Sequence, residues 1–203
     1  MKIQIIIFDG FDELDAIAPF EVLQTAAAMG CDLTVELVTL DGSTEVVAAH
    51  GLRIQPSGKL ERDQPLDILI VPGGGWGNRA PKGAWGEVQR GEIPTAIAQI
   101  HQRGATIASV CTGAMLVAGA GLLKGRPGIT HHVAIEDLRA TGAEIINARV
   151  VDDGDLVTAG GVTSGIDLSL WLIERYFNPQ VAHAVEQSLE YERRGTVWRC
   201  STL

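Results

Sequence analysis

The chain has 203 residues, with 16 Lys and Arg against 25 Asp and Glu and a formal charge of −9. Its 46% hydrophobic content and 24 glycines suit one compact domain over residues 1–203 rather than a disordered chain. The acidic balance argues against nucleic acid as the main partner and against an anionic membrane surface, because both demand clustered Lys and Arg.

The first predicted strand is KIQIIIF, Lys2 to Phe8. A helix is expected from about Leu14 to Met29, with Asp12 as N-cap and Gly30 as stop. LTVELVTL reads as the second strand, and VVAAHGLRIQPS as two short extended pieces around His50-Gly51. LDILIVPGGGWG is an apolar strand running into a glycine cluster, and Ile93 to Arg103 is a short helix ended by Gly104. Gly104 to Leu123 carries no charge over a length that could span a membrane. Thr106, Ser109, Thr112, Gly113, Gly119 and Gly121 dilute it, so a buried strand (ATIASV) and a helix (GAMLVAGAGLL) explain it better. Further on, Val133 to Thr141 reads as helix, AEIINARVV as extended, and DDGDLVTAGG as a turn and strand. Ser164 to Phe177 and Pro179 to Arg193 are two closing helices.

Runs such as IIIF and ILIV suit strands buried on both faces. Their alternation with helices predicts an α/β fold with a mostly parallel sheet between two helical layers. No repeat, low-complexity tract or linker interrupts it. Ligands of such sheets bind beyond the carboxyl ends of the strands. Asp15, Gly73-Gly74-Gly75 and Cys111 each follow a predicted strand, so they are expected to converge.

Cys31, Cys111 and Cys200 form neither a disulfide framework nor a CxxC pair, which suits a reducing, cytoplasmic setting. Asp9 cuts the first apolar run short, so no signal peptide is expected. Cys111 sits between a strand and a helix of small residues, in the manner of a nucleophile elbow. A thiol there faces the positive end of the helix dipole, which lowers its pKa. The alternative is an inert buried thiol. Cys31 and Cys200 lack such a setting; Cys31 suits a core or edge position and Cys200 an exposed one.

In Gly73-Gly74-Gly75, successive bare backbone N–H groups suit an oxyanion hole, although a Pro-Gly-Gly also makes a simple turn. Asp15 has apolar neighbours, so burial would raise its pKa and equip it for general acid/base work; a helix-start acid is the alternative. Glu21 falls on the opposite side of that helix. His131 and His132 are adjacent, and on an extended segment they would point apart, so at most one meets Cys111. No histidine spacing suits a metal, and none is expected. Trp76, Trp85 and Trp198 read as exposed, at an interface or a pocket rim, and Trp76 and the 77–92 loop are expected to shape the pocket.

These motifs resemble the DJ-1/ThiJ/PfpI superfamily. The matching stretches are IIIFDGFDELDAIAPFEVL, DILIVPGGG, IASVCTGAMLVAGAGLLKGR, Thr130-His131 and DGDLVTAGGVTSGIDLSLWLIER. The resemblance implies a flavodoxin-like, class I glutamine amidotransferase-like three-layer sandwich. Within the superfamily the chain looks most like the isocyanide hydratase branch, through Leu14-Asp15, Cys111-Thr112-Gly113 and the stretch Ala159 to Asp167. That branch implies Cys111 as nucleophile, Asp15 as acid/base and Thr112 beside them, with Gly73, Gly74, Gly75 and His131 around a small-molecule substrate. It also implies no cofactor and a homodimer.

The implied reaction adds water to an isocyanide through a thioimidate on Cys111, giving an N-substituted formamide. PfpI-like proteases and glyoxalase-like members place His directly after the Cys, where this chain has Thr112, so peptidase and dicarbonyl hydratase activities are less expected. AraC-type regulators share the Cys-Thr-Gly elbow but carry a further DNA-binding domain, which the sequence up to Leu203 does not provide for. A ligand-binding or redox-sensing module using the same thiol is the alternative outside catalysis.

Overall fold

Val, Ile and Leu runs that can lose water on both faces become central strands, and those runs set the sheet. The computed structural model describes residues 1–200. In chain order, β1 (Lys2–Ile6) leads into α1 (Glu13–Ala28) and back through β2 (Thr34–Thr39). A small antiparallel hairpin of β3 (Val46–Val47) and β4 (Arg53–Ile54) follows, then β5 (Gly58–Lys59). Next come β6 (Ile68–Val71), α2 (Ala84–Arg90), α3 (Glu92–Gln102), β7 (Thr106–Val110) and α4 (Gly113–Gly119). β8 (Pro127–Gly128), α5 (Ile135–Ala140), β9 (Glu144–Ile145), β10 (Val150–Asp152) and β11 (Leu156–Ala159) precede the closing α6 (Ser164–Tyr176), α7 (Pro179–Ser188) and β12 (Trp198–Arg199).

The main sheet has eight strands in the order β12-β10-β11-β7-β6-β1-β2-β5. Every pairing in it is parallel except β10 with β11. α1, α6 and α7 pack together as one helical layer, and α2, α3 and α4 as the other. This is the three-layer, flavodoxin-like α/β architecture expected. From β1 the chain steps to β2 on one side and then to β6 on the other. That reversal opens a crevice at the carboxyl ends of β1, β6 and β7.

Several boundaries differ from expectation. α2 is a seven-residue helix between Gly83 and Gly91, too short to show a helical stripe in the sequence. α4 stops at Gly119, and α7 ends at Ser188 rather than Arg193. AEIINARVV is not one extended piece but contains two strands in different sheets, β9 and β10. Asp12 occupies the N-cap position of α1 but makes no side-chain cap hydrogen bond. The uncharged 104–123 segment is β7 and α4, and among the described residues no helix is long and apolar enough to cross a membrane.

Candidate active site

The last residue of β7 hands the chain to Cys111, which adopts φ +57°, a left-handed conformation rare for a residue with a side chain. Two anchors hold it there. Its N–H donates to the Gly160 carbonyl at 2.7 Å, and its carbonyl accepts from Thr130 Oγ1 at 2.9 Å. The helix can leave at once because residue 113 is glycine: a Cβ there would lie 2.0 Å from the Val71 carbonyl oxygen. Strand, strained cysteine and glycine thus form a true elbow.

Asp15, in the first turn of α1, is fully buried beneath this elbow. Its Oδ2 accepts from the Gly73 N–H at 2.9 Å, while its Oδ1 has no hydrogen-bond partner. Burial, reinforced by the nearby Asp12 charge, pushes its pKa up to about 8; the Gly73 N–H and the Cys111 thiol pull more weakly the other way. The carboxyl is therefore protonated at neutral pH. Glu21 is exposed and does not share this place.

The Cys111 thiol departs from the dipole argument. Burial first, and the Asp15 charge second, push its pKa up to about 12. The backbone N–H groups of Val162 and Thr112 favour the thiolate but do not outweigh the loss of water. α4 is only seven residues long, so its dipole is a small counterweight. At rest, the site holds a thiol and a carboxylic acid rather than a thiolate and a carboxylate.

The glycine cluster also differs from a simple oxyanion hole. The Gly73 N–H is spent on Asp15, and the Gly74 N–H donates to Thr112 Oγ1 at 2.9 Å. Among the described residues only the Gly75 N–H of the three is left for a ligand. The cluster's glycines are required by close approach: at Gly73 a Cβ would meet Thr112 Oγ1 at 2.4 Å, and Gly74 has φ +124° against the Asp12 amide.

A cleft of about 520 Å³ opens above Cys111. Thr112, Gly74, Gly75, Trp76 and His131 line it, together with Asp12, His50, Lys82 and Val162. His131 accepts from the Val133 N–H through Nδ1 at 3.3 Å, so in the neutral ring Nε2 carries the proton. Burial holds the His131 pKa below its usual value. His131 and His132 do not diverge: a tight turn stacks their rings 4.1 Å apart, and of the two only His131 lines the cleft. Trp76 is buried rather than exposed, with Nε1 donating to Asp137 Oδ2 at 2.6 Å. Trp85 and Trp198 are half-buried and lie outside the cleft.

Among the lining residues to which the sequence assigns no site role are Asp12, which it marks as a cap, His50, which arrives from the β3–β4 hairpin, and Val162, which takes φ +35° in a loop that reads only as a glycine turn. Cys31 is half-buried, and the Cys200 N–H donates to the Asp152 carbonyl at the sheet edge. Among the described residues no cluster of three His, Cys, Asp or Glu is arranged to hold a metal ion.

A flavodoxin-like sheet with a cysteine on a strained strand-to-helix elbow over a buried acid defines the class. Comparison with known proteins gives the family: the DJ-1/PfpI family profile matches residues 1–175, and the chain belongs to that family. An isonitrile hydratase from Pseudomonas putida is 31% identical over 94% of this chain and 78% of that protein. A deglycase from Thermococcus kodakarensis is 30% identical over 78% of this chain and 89% of its own length. A ThiJ/PfpI family crystal structure from Pseudomonas syringae superposes with a TM-score of 0.82 at 26% identity, covering 96% of this chain and 76% of the other.

Proposed function

We propose that this chain is a cysteine-dependent hydratase that converts isocyanides to N-substituted formamides, with Cys111 as nucleophile and Asp15 as proton relay. The observation that carries the reading is the Asp15 carboxyl, fully buried next to Cys111, with Oδ2 held by the Gly73 N–H and Oδ1 free; burial raises the pKa of both groups. The terminal carbon of an isocyanide is unusual in that it must receive both a nucleophile and a proton. A thiol and a carboxylic acid held together supply both to one atom. The 31% identity to an isonitrile hydratase supports the same reading.

In the first step, Sγ of Cys111 bonds to the isocyanide carbon while Asp15 donates its proton to that carbon. The thiol proton passes to Asp15, so the carboxyl ends the step protonated and the product is a thioimidate. Asp15 then protonates the imidate nitrogen and, as carboxylate, takes a proton from the attacking water. Collapse of the tetrahedral adduct breaks the C–S bond, returns the proton to sulfur and releases the formamide. The Thr112 hydroxyl and the Gly75 N–H stand ready to hold the water or the developing charge, and His131 Nε2–H offers a further donor to the substrate. Glycines at 73 and 74 serve indirectly, by fixing Asp15 and Thr112.

Thr112 in place of a histidine weighs against dicarbonyl chemistry. The test is turnover of simple aryl and alkyl isocyanides, with formamide followed by mass spectrometry. Wild type is expected to turn over, and Cys111→Ala to lose at least a thousandfold in kcat. Full turnover by Cys111→Ala overturns the scheme.

A further inference from the structure

Besides Cys111, the titratable groups at the wall of the cleft are Asp12, His50, Lys82 and His131. Three of them are already compensated or neutral. Lys82 Nζ lies 3.0 Å from Asp9 Oδ2, and His50 Nδ1 lies 2.6 Å from Glu13 Oε2. Burial and the adjacent His132 keep the His131 ring neutral. Asp12 is different. Its side chain makes no cap bond and has neither a hydrogen-bond nor an ion-pair partner among the described residues.

A lone carboxylate inside a concave site attracts cations and rejects anions. Its charge acts on Asp15, His50, Cys111 and His131 alike, so it is felt across the cleft and at the reacting sulfur. Trp76 lines the same cleft, pinned in place by Asp137, and its ring already carries the Arg79 guanidinium, 5.6 Å from the ring centroid. A carboxylate and an aromatic ring lining one cavity are the combination that holds organic ammonium groups.

We infer that Asp12 is a specificity-determining residue, and that the substrates this cleft accepts carry an alkylammonium group beyond the reacting carbon. The inference deepens the isocyanide reading and takes the reaction from it. The charge preference, however, belongs to the cleft and is measurable without that reaction.

Methanethiosulfonates of similar size and opposite charge provide the probe. Cys111 sulfur displaces methanesulfinate to form a mixed disulfide, and the thiol proton goes to solvent. The rates of labelling at Cys111 by the trimethylammonioethyl and sulfonatoethyl reagents are followed by peptide mass spectrometry. Their ratio cancels any change in thiol reactivity common to both. Asp12→Asn is compared with Asp32→Asn, which removes an exposed carboxylate near the amino end of β2. The cation-to-anion ratio is expected to fall about tenfold in Asp12→Asn and to stay within twofold of wild type in Asp32→Asn. An unchanged ratio in Asp12→Asn, or an equal fall in both variants, overturns the proposal.

Dimethylaminopropyl and butyl isocyanides then carry the test to turnover. The wild-type preference for the charged substrate in kcat/KM is expected to fall about tenfold in Asp12→Asn. If neither isocyanide turns over while the labelling ratio responds to Asp12, the hydratase reading fails and the charge selectivity stands. If both turn over with no charge preference, the hydratase reading stands and the role of Asp12 is overturned.

Discussion

At the scale of single residues, the site is governed by what burial does to acids. Asp15 has an ordinary pKa of 3.8 and a folded value of about 8. Below pH 3.8 both folded and unfolded chains hold its proton. Between 3.8 and 8 the unfolded chain releases the proton and the folded one keeps it, so this residue's contribution to stability falls as pH rises. At pH 7 the loss is on the order of 4 kcal/mol. Asp15→Asn is therefore expected to raise Tm at pH 7, with the gain shrinking towards pH 4, while turnover of isocyanides is lost. Thermal melts from pH 4 to 8 check the sign; a variant destabilised at pH 7 would contradict the protonated resting state. Cys111 obeys the same rule, since two backbone N–H groups do not make up for lost water.

At the scale of elements, the elbow works because its neighbours leave room. α1 and α6 cross where Gly165 faces Pro19: a Cβ at 165 would sit 3.2 Å from Pro19 Cγ. Both helices begin beside the site, with Asp15 in the first turn of α1 and Val162 just before α6. Gly165→Leu is expected to force the helices apart, at a cost of about 2–3 kcal/mol or more. For a chain of this size that corresponds to a fall in Tm of roughly 4–12 °C. Turnover measured well below Tm is expected to fall as well, because the displaced α1 carries Asp15. A stable variant with full activity would show that this crossing does not set the site.

At the scale of the whole molecule, the sheet carries a second buried polar centre away from the cleft. Asp152, at the end of β10, accepts from Trp171 Nε1 at 2.7 Å and pairs with Arg175 at 3.0 Å. It ties α6 to the sheet near the edge strand β12. Asp152→Ala leaves a buried indole N–H without its acceptor and the partly buried Arg175 guanidinium with only the Gly154 carbonyl, and is expected to cost about 2–4 kcal/mol in chemical denaturation. Because the cluster lies outside the cleft, kcat/KM of the folded fraction is expected to stay within about twofold of wild type. A large kinetic defect in a fully folded variant would contradict that separation.

Much of this was legible in the chain itself. The apolar runs ILIV and TIASV suit buried strands, and the glycine and cysteine that follow each mark a strand-end turn, so the parallel sheet and the meeting of Asp15, Gly73 and Cys111 were expected from local chemistry. Short pieces such as α2, β8 and β12 carry too few residues to show a period, and they take their form from what they pack against. The raised pKa of Asp15 was legible in its apolar neighbours, but the protonation of Cys111, the loss of the Gly73 and Gly74 amides to internal partners, and the lone charge of Asp12 were decided by tertiary structure alone. Each depends on how much water is excluded and which groups from distant elements fill its place, and neither quantity is written in a residue's own neighbours.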